Sequence, residues 1–321
     1  MKLTIVPLAF ITFFMTGCGG PTEPISLHWR SIAQLPGDVY YNEIAFPNQR
    51  DGWVIGNSGR ILRTSDGGEN WQLVQTGSVQ DFHCLVFVDE RNGWIGGKGN
   101  TILHTTDAGD SWSLQYMSND TLHRFLAMSF VNTQTGWVVS NFGEILHTTD
   151  GGGSWAAQQS GTQWALTSVH FIDEGKGWAV ATNQIVLRTT DGGIHWESQE
   201  ILSAPWCTDI TFVDEKHGWI ATMVALSSSI QSGSPLLHTE DGGITWTQQA
   251  ILPSLWLTSM CFADGNHGWI TGDDKIFRTN NGGTTWETEY ESHQEVFVSV
   301  SFPGSIKGWA LSFGGTVLRY E

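Results

Sequence analysis

Basic residues are scarce in this sequence. Lys and Arg together number 15 against 32 Asp and Glu, which gives the 321-residue chain a formal net charge of −17. A surface with this excess of negative charge repels phosphate groups. We therefore expect neither nucleic acid nor an anionic lipid surface to be a partner.

Cysteine is also rare, with four residues: Cys18, Cys84, Cys207 and Cys261. Apart from Cys18, the remaining three cannot all pair with one another. None belongs to a Cys-x-x-Cys or Cys/His spacing of the kind that holds zinc. We expect no disulfide framework, no zinc site or other metal site, and no cofactor.

Long apolar runs are missing except at the start, where Leu3 to Phe14 has the length of a signal peptide and is too short to cross a bilayer. The following Met15-Thr16-Gly17-Cys18 resembles the bacterial lipoprotein cleavage box, in which the cysteine is lipidated and becomes the mature N-terminus. We predict a signal peptide over 1–17, a tether over 18–24 and a membrane anchor through Cys18. An ordinary cleaved signal with an incidental cysteine is the alternative.

The anchor predicts a location outside the cytoplasm, in the cell envelope, either periplasmic or on the cell surface. Several acyl chains on one residue hold a protein stably at a membrane. Gly19 directly after Cys18 favours the outer membrane over the inner one.

Glycine and tryptophan are abundant instead, with 38 and 17 residues, and they mark an internal repeat. A Gly-Trp pair recurs at intervals of 40 to 50 residues, with its tryptophan at Trp53, Trp94, Trp137, Trp178, Trp219, Trp269 and Trp309. A phenylalanine stands seven residues before each of these tryptophans. A second tryptophan ends a later motif, typified by Thr189 to Trp196, and helical periodicity is hard to find. Periods of this length are typical of propeller blades.

Each repeat predicts four strands. The first ends near the phenylalanine, the second begins at Gly-Trp, the third is an apolar stretch such as Ile61 to Thr64, and the fourth begins near the second tryptophan. The Asp-Gly-Gly before the fourth strand is a hairpin signal. The seventh repeat lacks this motif, and Trp29 stands in register with the series. We predict an all-β, seven-bladed β-propeller over 25–321, with the last blade closed by the N-terminal strand.

The motif resembles the Asp box, or bacterial neuraminidase repeat, Ser/Thr-x-Asp-x-Gly-x-x-Trp. The box positions are Asp66, Asp107, Asp150, Asp191, Asp241 and Asn281. Together with Phe-x-Asp and Gly-Trp, the repeat is most similar to the photosystem II assembly and stability factor family. This resemblance implies a monomeric propeller that binds or assembles a protein partner.

Two roles are open to the Asp boxes. They could bind calcium, or their carboxylates could accept hydrogen bonds within their own turns. Calcium needs six or more oxygen ligands, and each loop supplies one carboxylate. We therefore expect a structural role.

Sialidases also carry Asp boxes, so a carbohydrate-active enzyme or a glycan-binding propeller is the alternative function. A sialidase site needs an arginine trio, a Tyr/Glu pair and a further acid on long loops, and other glycosidases need paired carboxylates in a cleft. Most loops here are short, and none of the five tyrosines sits beside a Glu/Arg cluster. We assign no catalytic residue.

Three tryptophans fall outside both repeat registers: Trp164, Trp206 and Trp256. We predict that they sit at the start of the first strand in the fourth, fifth and sixth blades. The one sizeable insertion, around Met223 to Leu236, should emerge on the same face. Clustered aromatic side chains beside a unique loop are typical of a protein-binding site. A structural plug at the channel mouth is the alternative.

Overall fold

The computed structural model describes residues 28–118, 120–201, 206–224 and 233–321. Within these ranges every regular element is a β-strand, and 28 strands form seven four-stranded antiparallel sheets. The predicted seven-bladed β-propeller is confirmed. The predicted signal peptide, the predicted tether and Cys18 lie outside the described residues. In the described part of the chain there is no helix of the length and apolar character that a membrane span requires.

The blades share one layout, from the channel outward. The innermost strands are β2 (Tyr41–Ala45), β6 (Phe82–Phe87), β10 (Phe125–Phe130), β14 (Leu166–Phe171), β18 (Trp206–Phe212), β22 (Leu257–Phe262) and β26 (Phe297–Ser301). The second strands are β3 (Gly52–Gly56), β7 (Gly93–Gly97), β11 (Gly136–Ser140), β15 (Gly177–Ala181), β19 (Gly218–Met223), β23 (Gly268–Gly272) and β27 (Gly308–Ser312).

The two outer layers complete each sheet. The third strands are β4 (Ile61–Thr64), β8 (Thr101–Thr105), β12 (Ile145–Thr148), β16 (Ile185–Thr189), β20 (Ser234–Thr239), β24 (Lys275–Thr279) and β28 (Thr316–Tyr320). The outermost strands are β5 (Gln72–Leu73), β9 (Ser113–Tyr116), β13 (Ala156–Gln158), β17 (Glu197–Glu200), β21 (Thr247–Leu252), β25 (Glu287–Glu291) and β1 (Trp29–Gln34).

The N-terminal strand closes the seventh blade, as predicted. The strand order of that sheet is β1-β28-β27-β26, and Trp29 pairs with Tyr320 across the β1–β28 ladder. The Trp29 indole also donates a hydrogen bond to Glu289 of the sixth blade at 3.0 Å. The first and last described segments therefore share one sheet, and the ring of blades is continuous.

Packing between blades explains why the phenylalanine and both tryptophans recur in each repeat. The Gly-Trp tryptophan of each blade stacks on the phenylalanine of the next, with ring centroids 3.5 to 3.9 Å apart, and Trp309 stacks on Phe46 to complete the circle. The second tryptophan of the blade that contributes the phenylalanine meets that ring edge-on, with ring centroids 5.7 to 6.0 Å apart. The repeated aromatics are therefore interblade core, in which each phenylalanine has one parallel stack and one edge-to-face contact.

The glycine of each Gly-Trp pair makes room for this packing. In the fourth blade Phe171 pairs with Gly177 across the β14–β15 ladder, and a Cβ on Gly177 would lie 2.3 Å from the Phe171 ring. The same close approach recurs at the equivalent glycine in the other six blades. A residue with any side chain would push the phenylalanine out of its stack.

Antiparallel strands bring alternate connections to the same end of the ring. The loops that enter each innermost strand, and those that join second to third strands, lie at one end, which we call the aromatic face. The turns between first and second strands and the Asp-box turns lie at the other end, the Asp-box face.

Candidate binding site

The three non-repeated tryptophans lie on the aromatic face, with large exposed fractions. Trp206 opens β18, Trp256 directly precedes β22, and Trp164 stands two residues before β14. Their exposed fractions are 47%, 46% and 54%. Rings of this size, left half in solvent in three consecutive blades, are unusual for a stable core and typical of interaction surfaces.

Backbone pairing brings two of these tryptophans to a common neighbour. Trp206 pairs with Met223 at the end of the β18–β19 ladder, and Met223 forms an isolated bridge with Trp256. Trp206 and Trp256 therefore flank Met223 on either side. Methionine is flexible and polarisable, which suits a surface that adapts to a partner.

The insertion begins and ends beside Trp256. Residues 225–232 lie outside the described residues, but both flanks of this segment are described. The Val224 N–H donates to the Leu255 carbonyl at 2.9 Å, and the Ser234 hydroxyl donates to the same carbonyl at 2.9 Å. The insertion therefore emerges from the aromatic face, next to Leu255 and Trp256.

The aromatic residues of the other blades occupy a different position from Trp206. Phe82, Phe125 and Phe297 are fully buried at the first residue of their strands, where the fifth blade has Cys207. Tyr40, directly before β2, is the true equivalent of Trp206 and is 55% exposed. The buried phenylalanines stand five residues before the blade phenylalanine, whereas Trp206 stands six before it. A shift of one residue along a strand moves a side chain from core to surface.

Further exposed aromatics on this face were missed from sequence. Phe313 stacks on Tyr40 with centroids 4.3 Å apart, and Phe142 lies over His123 at 4.5 Å. Phe142 and Phe313 each precede a glycine in the turn between second and third strands. An aromatic residue inside such a polar, Gly-containing turn is the signal that could have revealed them.

The Asp boxes on the opposite face act as local hydrogen-bond centres. In the second blade the Thr105 hydroxyl donates to Asp107, while the backbone and hydroxyl of Ser111 donate to both Asp107 oxygens at 2.6 to 2.9 Å. The Ser111 and Thr105 hydrogen bonds lower the pKa of Asp107 to about 2. The same pattern holds at Asp66, Asp150, Asp191, Asp241 and, with an amide, at Asn281. Both carboxylate oxygens are thus engaged within their turns.

The box turns also connect neighbouring blades. The Trp94 indole donates to the Gly151 carbonyl of the next blade at 3.2 Å, and Trp137 donates to Gly192 at 3.0 Å. Trp178 makes the equivalent bond to Gly242. In these three pairs of blades the first glycine of Asp-Gly-Gly supplies an acceptor for the buried indole of the preceding blade.

Charged clusters in the described residues are satisfied by ion pairs. Six of the nine arginines contact a carboxylate: Arg30, Arg60, Arg63, Arg188, Arg278 and Arg319. A group of possible metal ligands, Asp274, Glu291 and His293, surrounds the Lys275 ammonium, which lies 2.8 Å from Asp274 and 2.9 Å from Glu291. A lysine thus already provides the cation that this group needs.

Comparison with known families finds one match along most of the chain. The family described as "Photosynthesis system II assembly factor YCF48" matches in five overlapping segments, residues 22–120, 80–164, 114–201, 155–248 and 203–288. Among curated proteins the sequence has no match.

Solved structures share the architecture. One described as "YCF48 bound to D1 peptide" is 21% identical, covers 91% of this chain and 94% of its own, and has a TM-score of 0.73. "YCF48 from Cyanidioschyzon merolae" is 21% identical, with 92% and 98% coverage and a TM-score of 0.68. "Streptogramin B lyase structure" has a TM-score of 0.76 at 12% identity, covering 92% and 97%. At these identities the likeness establishes the fold, and the neighbours include both assembly factors and an enzyme.

Proposed function

Because the chain belongs to the family of the photosynthesis system II assembly factor YCF48, we propose that it is a protein-binding propeller that holds a partner polypeptide during assembly and catalyses no reaction. The observation that carries this proposal is the pair of half-exposed tryptophans, Trp206 and Trp256, on either side of Met223. We assign the contact with the partner to this part of the aromatic face.

The chemistry of the surface supports a protein ligand. Large, rigid aromatic rings contribute contact area at low entropic cost and are enriched among the residues that dominate binding energy. A solved relative is described as bound to a peptide, which is a property of that protein. Within the described ranges no lysine or arginine lines the central channel, so the arginine trio of sialidases has no counterpart there.

The experiment combines Trp206→Ala with Trp256→Ala. Each truncation of such a ring costs about 2 kcal/mol or more of binding, which is about 30-fold in affinity. The double variant should therefore bind its partner at least about 30-fold more weakly, and about 1,000-fold more weakly if the two losses add. The readout is quantitative co-purification of the partner from native membranes, followed by titration with that purified partner.

A matched control removes two exposed apolar side chains from the Asp-box face, Ile194→Ala with Ile244→Ala, which are 75% and 59% exposed. This control should bind as the unmodified protein does. Retention of full affinity by the tryptophan variant would place the interface elsewhere. A fall of many degrees in its melting temperature would instead make these rings structural.

We also propose the envelope location and the lipid anchor at Cys18. The lipobox-like Met15 to Cys18 after an apolar run supports it. Cys18→Ser should release the protein into the soluble fraction or leave it uncleaved, because the acyl chains have no attachment point. Membrane fractionation with mass spectrometry of the mature N-terminus tests this, and mature-length Cys18→Ser protein in membranes would contradict it.

A further inference from the structure

The central channel contains an unusual set of side chains. The innermost strands enclose a cavity of about 430 Å³, which falls in the size range of small-ligand sites, about 300–1,000 Å³. Serine and threonine hydroxyls line much of it, together with Glu43, Asp209, His83 and His170. None of the lining residues is a lysine or arginine.

The two carboxylates occupy the same register in different blades. Glu43 on β2 and Asp209 on β18 each stand three residues before the blade phenylalanine, inside otherwise apolar or hydroxylic strands. This repeat of position is visible in the sequence. Asp209 is the middle residue of β18 and Glu43 the middle residue of β2, so both carboxylates lie about midway along the channel strands.

Both oxygens of Asp209 accept hydrogen bonds from the described residues, whereas only one oxygen of Glu43 does. Asp209 accepts from the Ser168 hydroxyl at 2.7 Å and from the Met260 N–H at 2.8 Å, which joins three neighbouring blades. Glu43 accepts from the Leu85 N–H at 2.5 Å through one oxygen. Its other oxygen receives no hydrogen bond from the described residues.

A nearby hydroxyl also lacks a partner. The Thr208 oxygen is buried and makes no hydrogen bond with the described residues. The equivalent hydroxyls of Thr167 and Thr258 each donate to a carbonyl of the next blade, at 3.0 and 2.9 Å. A buried polar atom without a partner costs stability, and a ligand with hydrogen-bond donors would satisfy it.

The titratable groups that line the channel have no positively charged partner among its lining residues. Burial, aided by Arg124 and Lys98 near it, lowers the pKa of His83 to about 4, and burial lowers that of His170 to about 4. Both imidazoles are therefore neutral at pH 7. Burial raises the pKa of Glu43 to about 8 and that of Asp209 above its ordinary value, and each carboxylate lacks a cationic partner in the channel.

We propose that the axial channel binds a primary ammonium group, held by the Glu43 and Asp209 carboxylates and the Thr208 hydroxyl. An ammonium offers three donors to separate acceptors. A bare metal ion usually takes four or more ligands. Among the described residues, no group of three or more Asp, Glu, His or Cys side chains close enough to share an ion includes a channel residue. The site is independent of the tryptophan surface, and it accepts either a small alkylamine or a lysine side chain of a bound protein.

Binding of an ammonium should release a proton from Glu43. Besides Asp209 across the channel, the group facing Glu43 is the Cys84 thiol on β6, which burial keeps neutral. At pH 7 most Glu43 carboxyls carry a proton, since their pKa is about 8. A bound cation favours the ionised form, so about one proton leaves for each ligand bound.

Isothermal titration of the purified full-length protein tests the proposal, with n-butylammonium and N-acetyl-lysine methylamide as probes. The neutral analogues 1-butanol and N-acetyl-norleucine methylamide are their controls. We expect saturable binding of the amines alone, with proton release at pH 7 measured from buffers of different ionisation heat. The release should approach zero above pH 9.

Variants assign the site. Glu43→Gln keeps the acceptor for Leu85 and should lower amine affinity about tenfold or more while abolishing proton release. Thr208→Val should weaken binding without lowering the melting temperature, because it removes a buried hydroxyl that has no partner among the described residues and whose burial costs stability. Glu287→Gln, an exposed acid on β25, is the charge-matched control and should behave as the unmodified protein.

The outcomes separate cleanly. Equal binding of amines and neutral analogues, absence of saturable amine binding, or unchanged binding in both channel variants would each overturn the proposal. Tighter binding of the lysine amide would identify a protein side chain as the ligand, and tighter binding of butylammonium would identify a free amine. Neither result depends on the tryptophan variant, so the proposed protein-binding function stands or falls separately.

Discussion

Replacement of a Gly-Trp glycine by alanine should destabilise the propeller through one identifiable clash. Gly177 has a backbone conformation that alanine can adopt, so the effect is purely steric. Its new methyl would lie 2.3 to 2.4 Å from three ring atoms of Phe171. That ring stacks on Trp137 at 3.5 Å and receives the edge of Trp196 at 5.8 Å.

The expected magnitude follows from these contacts. Forcing a methyl into a packed core costs about 1–3 kcal/mol, and each displaced aromatic pair loses about 0.5–1.5 kcal/mol. Alanine also restricts the unfolded chain, which offsets about 0.4–1 kcal/mol. With both aromatic pairs displaced, we expect Gly177→Ala to lower the free energy of unfolding by about 1–5 kcal/mol.

Equilibrium urea unfolding, followed by near-UV and far-UV circular dichroism, measures this change. Gly304→Ala is the control, since a Cβ there meets nothing within 4 Å. Phe171→Leu should lower the free energy of unfolding less in the Gly177→Ala variant than in the unmodified protein, because the smaller side chain relieves the clash with the new methyl group. If Gly177→Ala and Gly304→Ala had equal stabilities, the steric explanation of the Gly-Trp repeat would be refuted.

Three further changes test other parts of the fold. Thr189→Val deprives the buried Gly193 N–H of its acceptor at 2.9 Å and should cost about 1–3 kcal/mol in urea unfolding, whereas the exposed Thr190→Val should cost little. Trp29→Ala removes a ring that is 5% exposed, from the strand that closes the seventh blade, and should lower the free energy of unfolding by about 3–5 kcal/mol. An unchanged melting curve would contradict closure of that blade by β1. The pKa of Glu43 is raised from 4.5 to about 8 in the folded state, so its contribution to the free energy of unfolding falls as pH rises between those values. Glu43→Gln should remove this fall in stability, which melting curves from pH 4 to 9 would measure.

The candidate site shows where sequence reasoning reached its limit. The positions of Trp206 and Trp256 were placed correctly at the entry to the innermost strands, because the repeat fixes where each strand begins. Their half exposure, and the burial of Phe82 one register step later, depend on which side of the strand faces the neighbouring blade. That direction is set by packing between blades that are about 40 residues apart in sequence.

The sequence by itself determined the number of blades, their four strands and the joining of the ends. These features follow from residues that recur at fixed spacing, such as Gly177 with Phe171, whose local pairing is the same in every repeat. Only the tertiary structure decided what the non-repeated residues do. It brought Glu43 and Asp209 into one channel and left the Thr208 hydroxyl without a partner. The physical reason is that the channel is assembled from one strand of every blade, so its charge and hydrogen bonding exist only after the ring has closed.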